Sequence, residues 1–268
     1  MSDENTEPNN YESIGEQRMD EQGNLYRYEW KFLIHEEQAD LLQRKLTPFL
    51  SEDVHASDGG YQIRSLYFDD LKNSAYTQKL MGVYARKKWR IRIYNFSDDK
   101  IALERKTKRG NYIFKESADL THAEFDKIMD HDYGFLYERE ERLCREFYIE
   151  CIANLHRPKV IVDYYRTPLT MEEGTVRITF DRDISAAVGG FDIFDAALPR
   201  LPAQQPGTVV LEVKYTEYLP QLIRSLLPTE HQAFTAYSKY CACFEAAHHI
   251  ADPTAGISKT NHWQCKVQ

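Results

Sequence analysis

Between residues 84 and 94 the chain reads Tyr-Ala-Arg-Lys-Lys-Trp-Arg-Ile-Arg-Ile-Tyr. Displayed as a strand, it sets Arg86, Lys88, Arg90 and Arg92 on one face and Ala85, Trp89, Ile91 and Ile93 on the other. Four cations in a row repel one another unless they face water or an anion. A single strand of this kind is equally the solvated face of an antiparallel sheet and one wall of an anion site. The alternation returns along the chain. Arg27, Glu29 and Lys31 alternate with Tyr28, Trp30 and Phe32, and Glu104, Lys106 and Lys108 with Leu103, Arg105 and Thr107. Arg177, Thr179 and Asp181 alternate with Val176, Ile178 and Phe180, and Glu212 and Lys214 with Leu211, Val213 and Tyr215. Arg166 ends a less regular strand after Val162 and Tyr164.

Arginine binds phosphate as a bidentate fork and lysine as a point charge. The interleaved Glu29, Glu104 and Glu212 partly neutralise the cations and offer hard oxygens to a divalent ion, for which Mg2+ or Mn2+ is the natural choice. Each Glu-x-Lys pair alone reads as a salt-bridge ladder on a wet face. Their recurrence favours convergence on a charged interior. Unpaired buried ions cost on the order of several kcal/mol each, so such an interior must hold water, ions or a ligand.

The elements that would position these residues follow from the alternation. Strands are expected at 26–34, 61–69, 84–95, 100–108, 111–117, 160–167, 174–183 and 208–215. Eight strands, polar on one face and apolar on the other, predict an α+β fold: an eight-stranded antiparallel β-barrel tunnel with a charged interior and helices packed on the outside. Lys108-Arg109-Gly110-Asn111 supplies a hairpin turn. Helices are expected over 36–47, from the Thr121 capping box through Met129, over 137–155 with Leu143, Phe147, Ile149 and Ile152 packing, and at 219–226 and 235–249.

Residues 1–24 form a separate region, with seven acids against the single base Arg18, and read as a disordered acidic tail. That tail holds most of the net charge of −8 and leaves the body nearly neutral. A nucleic-acid binder would show a basic excess over a whole face, so no specific nucleic acid is expected. One domain spans 25–250, followed by a C-terminal tail at 251–268. No apolar stretch is long enough for a membrane span and no secretory signal is present, so a cytoplasmic protein is expected. Cys144, Cys151, Cys241, Cys243 and Cys265 are odd in number and lack CxxC spacing, which predicts free thiols in a reducing compartment.

Tyr28-Glu29-Trp30-Lys31, Arg64-Ser65-Leu66-Tyr67-Phe68-Asp69, Arg90-x-Arg92 and Glu104-Arg105-Lys106 occur in order. They are followed by Tyr165-Arg166, Arg177, Leu211-Glu212-Val213-Lys214 and Ser238-Lys239-Tyr240. Over roughly 25 to 245 this set resembles the catalytic VTC domain of polyphosphate polymerases, within the triphosphate tunnel metalloenzymes. The resemblance implies a tunnel that binds the triphosphate of ATP and extends polyphosphate with release of ADP. Lys31, Arg90, Arg92, Lys106, Lys115, Arg166, Arg177 and Lys239 would then contact phosphate, with Arg64 and Lys214 as further tunnel candidates. Glu212 would hold Mn2+ or Mg2+, with Glu29 and Glu104 as further metal candidates. The catalytic set implied is Arg90, Arg92, Lys106, Arg166, Arg177, Glu212 and Lys239. With no span and no recognisable regulatory helical bundle, the chain reads as a stand-alone domain of bacterial style.

Two alternatives stay open. One is a metal-dependent tripolyphosphatase or nucleoside triphosphatase, in which water attacks instead. Arg27 stands where the hydrolytic relatives carry an extra glutamate, which favours the polymerase. The other is a non-catalytic sensor of polyphosphate or nucleotide, against which the presence of Glu212 and Lys239 argues.

Overall fold

The computed structural model describes residues 28–53, 59–110, 112–216, 218–228 and 236–248. One antiparallel sheet forms its centre. The main path runs β1 (Tyr28–His35), β10 (Thr208–Tyr215), β8 (Val176–Ala187), β7 (Arg157–Met171), β3 (Tyr61–Asp69), β4 (Ala85–Tyr94), β5 (Ser97–Arg109) and β6 (Tyr112–Leu120). Two short strands, β2 (Ser51–Glu52) and β9 (Arg200–Pro202), pair with β7 and β8. The eight strands read from alternation are all present.

Closure of the barrel is not. β1 and β6 end the hydrogen-bonded path, with no ladder between them among the described residues. Charged side chains connect the two ends of the sheet from within, Lys106 of β5 donating to Glu29 of β1 at 2.9 Å.

The convex face is mostly apolar, as the pleat requires. Phe68, Trp89, Ile91 and Leu103 lie in one cluster with residues of α3 (His122–Met129), α4 (Gly134–Glu138) and α5 (Arg142–Ala153). Phe147 of α5 meets Phe68 edge-on and packs tilted against Trp89. Phe32, Ile178, Phe180 and Leu211 form a second cluster with α1 (Glu36–Leu46) and α6 (Gln221–Leu226). Each such buried side chain contributes about 1.5–3 kcal/mol.

Three helical expectations need correction. The helix expected over 137–155 breaks into α4 and α5, because Arg139 is extended (φ −65°, ψ 144°) and its guanidinium donates to Glu124 and Glu141. The buried stripe of α5 is therefore Leu143, Cys144, Phe147 and Cys151, while Ile149 and Ile152 face solvent. α2 (Ser74–Leu80) is a helix absent from the sequence expectations, and its first amides donate to the carboxylates of Asp69 and Asp70. Finally, α7 (Lys239–Ala247) does not lie outside: Tyr240, Cys241 and Phe244 pack on Ile63, Val162, Tyr164 and Val210 of the concave face. Those apolar residues share the face with the charges and need cover. The Ser238 hydroxyl caps α7 by accepting from the Cys241 amide.

Cys144, Cys151, Cys241 and Cys243 are buried and free. Cys265 and the two expected tails lie outside the described residues. Among the described residues no helix is long and apolar enough to cross a membrane.

Candidate functional site

Residues directly opposed in an antiparallel ladder share a face, so register decides which charges meet. Lys31 opposes Glu212 and Glu29 opposes Lys214 across β1 and β10. Arg166 opposes Asp181 across β7 and β8, and Lys214 opposes Arg177 across β10 and β8. Arg90 lies between Tyr67 on β3 and Glu104 on β5, Arg92 faces Ser65, and Lys106 faces Lys115 of β6. The concave face thus gathers the expected cations from most of the strands. Lys239 joins them from the first turn of α7.

These side chains surround a cavity of about 260 Å³. Among the described residues eleven lysines and arginines line it, against the carboxylates of Glu29 and Glu212. Glu212 is the hub: Lys214 lies 2.9 Å away, Lys239 3.0 Å, Lys31 3.3 Å and Arg166 3.7 Å. Burial alone would raise its carboxyl, but Lys214, Lys239, Lys31 and Arg166 outweigh burial and hold it well below the usual carboxylate range. Glu29 behaves alike, burial being overcome by Lys31, Lys106 and Lys214. Glu104 accepts from Arg90 at 2.7 Å and Lys115 at 2.8 Å. Asp181 accepts both arms of the Arg166 fork, at 2.6 and 2.7 Å, and lies 2.6 Å from Lys239.

The arginines are held before any ligand arrives. Arg90 donates to the Tyr67 hydroxyl at 2.9 Å, and Arg92 donates to Ser65 and Tyr164, each at 3.0 Å. Fixed donors of this kind need no reorganisation when charge moves between them.

Lys31, Arg90, Arg92, Lys106, Arg166, Glu212, Lys214 and Lys239 all line the cavity. Lys115 and Arg177 share the face but not the cavity wall: Lys115 is tied to Glu104, and Arg177 to Asp53 at 2.6 Å and the Tyr61 hydroxyl at 3.0 Å. Arg64 must be removed from the tunnel candidates. Ser65 and Tyr67 point inward, so the pleat turns Arg64 to the convex side, where it is fully buried. There it forks onto Asp163 at 2.8 and 2.7 Å, donates to the Asp195 carbonyl at 2.5 Å and covers the Phe96 ring.

Residues not proposed from sequence also contribute. Asp181 stood on the same face as Arg177 in the alternation, and that was the signal for it. Tyr67 and Tyr164 look like core tyrosines until their hydroxyls are seen on the arginines. Lys79 comes from α2 and had no signal at all.

A divalent ion has a limited place here. Among the described residues no three acidic, histidine or cysteine side chains cluster to hold one. Glu29 and Glu212 nevertheless both lie against Lys31, at 3.2 and 3.3 Å, so two carboxylates already converge on one positive charge. That donor set fits Mg2+ or Mn2+ held by one or two carboxylates, with the rest of the shell supplied by phosphate.

A family model described as the VTC domain matches residues 26–248. Among curated proteins none matches the chain in sequence. A solved Hippeastrum protein, named for adenylyl cyclase and described as having a dominant triphosphatase activity, is 14% identical. The match covers 83% of this chain and 96% of that one, with a TM-score of 0.51, and shows a shared fold. A Bacillus halodurans protein named for adenylate cyclase is 13% identical over 76% of this chain and 93% of its own, with a TM-score of 0.47.

Proposed function

Since the chain belongs to the VTC domain family, we propose that it is a polyphosphate polymerase, moving the γ-phosphoryl group of ATP onto the end of a growing polyphosphate chain. The observation that carries this reading is the concave face itself, where cations from β1, β4, β5, β7, β10 and α7 converge on one cavity. A linear polyanion satisfies all of them at once. The curled sheet would act as a tunnel along which the polymer lies.

Phosphoryl transfer asks a protein mainly for alignment and for positive charge. A terminal phosphate oxygen of the polymer attacks the γ-phosphorus, the bond from γ-phosphorus to the β,γ-bridging oxygen breaks, and ADP leaves. The attacking oxygen needs no protein base, since it is ionised near neutral pH. Arg90, Arg92 and Arg166 grip equatorial oxygens, while Lys31, Lys106, Lys214 and Lys239 neutralise the chain on either side. Glu212 spaces three of these lysines and, with Glu29, would hold the divalent ion, whose contribution is Lewis-acid neutralisation of phosphate charge.

A triphosphatase is the second reading, favoured by the fold shared with the Hippeastrum protein. Incubation with ATP and Mn2+, with and without a short polyphosphate primer, separates them on a gel. A ladder of polyphosphate with ADP supports the polymerase. Free phosphate without polymer identifies a triphosphatase, and tight tripolyphosphate binding without turnover a sensor.

The cavity also dictates a proton linkage. Burial, with Lys79, Lys106 and Lys31 close by, pushes the Lys88 ammonium down to about 7. Burial likewise takes Lys106 down to about 8, though Glu29 supports its charge. The free site therefore loses positive charge as pH rises through these values, whereas a bound polyanion favours the charged lysines. Affinity for tripolyphosphate is expected to fall above pH 7, and binding at pH 8 to take up about one proton. Calorimetry in buffers of different ionisation enthalpy measures that uptake. Lys88→Met should remove most of it, and uptake unchanged in that variant would refute the assignment.

A further inference from the structure

The turn between α2 and β4 carries an unexplained feature. Residues 80–85 read Leu-Met-Gly-Val-Tyr-Ala, and all six are exposed. Met81 is 76% and Tyr84 69% accessible. Soluble surfaces scatter single apolar residues, whereas a contiguous exposed apolar run marks a contact with something else. The run is not a loose loop. Met81, Gly82 and Val83 amides donate back to the carbonyls of Thr77, Lys79 and Gln78, and the Gly110 amide donates to the Tyr84 carbonyl. Arg86 donates to the Val83 carbonyl at 2.7 Å. Gly82, at φ +67°, makes the reversal at the tip, and no heavy atom would meet a side chain there. The backbone is pinned while the apolar side chains project.

Cations flank this tip. Lys79 precedes it and Arg86 and Lys87 follow, and the β4–β5 ladder sets Lys108 and Arg109 opposite Arg86 and Ala85. Glu150 approaches this group only at 3.9 Å from Lys87. An apolar tip inside a basic collar matches a bilayer surface, where apolar side chains enter the acyl boundary, tyrosine sits at headgroup level and lysine and arginine meet anionic lipid. The size of the patch argues against a protein occupant. A standard protein interface covers roughly 800 Å² on each side, far beyond what four projecting side chains offer.

We propose that the 80–85 tip is a peripheral membrane-docking element, inserting Leu80, Met81, Val83 and Tyr84 into an anionic leaflet. The inference does not depend on the reaction catalysed. It has a geometric consequence, because Lys79, Arg86 and Lys108 also line the cavity. A docked molecule would therefore hold that side of the cavity against the lipid surface.

Sedimentation of the full chain with vesicles of phosphatidylcholine alone, or with about one third phosphatidylserine, tests this. Binding is expected to the anionic vesicles, weakened by salt. A Leu80→Ser/Met81→Ser/Tyr84→Ser variant should lose at least about ten-fold in partitioning, and Lys87→Glu/Arg109→Glu a comparable amount. In Met81→Trp the tryptophan emission should shift to the blue on adding anionic vesicles. Two results overturn the proposal on the lipid side: a wild type that ignores anionic vesicles, or a triple-serine variant that binds them as well as the wild type does. A dimer in sedimentation velocity that Met81→Ser dissolves would assign the tip to a second copy of the chain instead. Unchanged circular dichroism and gel activity of the triple-serine variant keep misfolding out of the comparison, and a failed polymerase assay leaves the vesicle result standing.

Discussion

Glu212→Gln is expected to lower turnover of ATP by about 10²–10³-fold or more while tripolyphosphate still binds. The carboxylate stands within 3.3 Å of Lys31, Lys214 and Lys239, so it fixes where three ammonium groups sit relative to the cavity. Its loss makes the site more positive, which leaves ground-state phosphate binding intact or tighter. What disappears is alignment of those lysines and the hard oxygen proposed for a divalent ion. Loss of turnover with retained binding therefore separates transition-state work from simple charge attraction. The substitution also leaves buried cations under-compensated, at a cost of up to about 3–5 kcal/mol. Tripolyphosphate at a hundred times its Kd should return about 2.7 kcal/mol of this. Single-turnover kinetics beside a thermal-shift titration reads both effects. Turnover within ten-fold of wild type would remove Glu212 from the mechanism.

The opposite pattern is expected of Arg64→Met. Arg64 and Asp163 are a fully buried pair joined by two hydrogen bonds on the convex side. Truncating one partner leaves the other charge buried alone, a loss of about 3–5 kcal/mol. For a chain of this size that corresponds to roughly 10 °C in Tm. The release of the Asp195 carbonyl adds to the loss, since Arg64 ties the segment around Ile193 to the sheet. The KM for ATP and the affinity for tripolyphosphate should not move. Changed phosphate affinity in a variant that remains folded would return Arg64 to the site and contradict the orientation of β3.

These two residues show where the sequence could be read and where it could not. Glu212 was legible because period-two alternation puts Glu212 and Lys214 on the face opposite Leu211 and Val213, and the neighbouring strands repeat the pattern. Arg64 failed for the same reason of parity. In Tyr61–Asp69 both faces are buried, so alternation of polarity gives no cue, and a lone arginine looks like one more tunnel cation. Only the pairing of Ser65 with Arg92 settles which way Arg64 points. The position of α7 was hidden by similar ambiguity. Its apolar residues announce a buried helix but not the side of the sheet that buries it, because Ile63, Val162, Tyr164 and Val210 share the concave face with the charges. Open closure at β1 and β6 lay beyond reach as well, because strand count and alternation are the same for a ladder that closes and one that stops short. The break between α4 and α5 has no local sequence cue, since it comes from Arg139 reaching for Glu124 and Glu141 in place of continuing the helix.

The pairing of the first described strand with the last has a consequence during synthesis. β1 finds its ladder partner only when residues 208–215 have been made, since Tyr28 pairs with Tyr215 and His35 with Thr208. Such distant pairing slows folding and leaves an unpaired edge exposed on the ribosome-bound chain. Other nascent chains could add to that edge as an extra strand. Glu29 and Lys31 stand on it throughout the wait, and charged side chains on an open edge discourage strand addition. The groups that later face the cavity thus act first as gatekeepers against aggregation. Replacing them with apolar residues would be felt in soluble yield before it was felt in any assay of the finished protein.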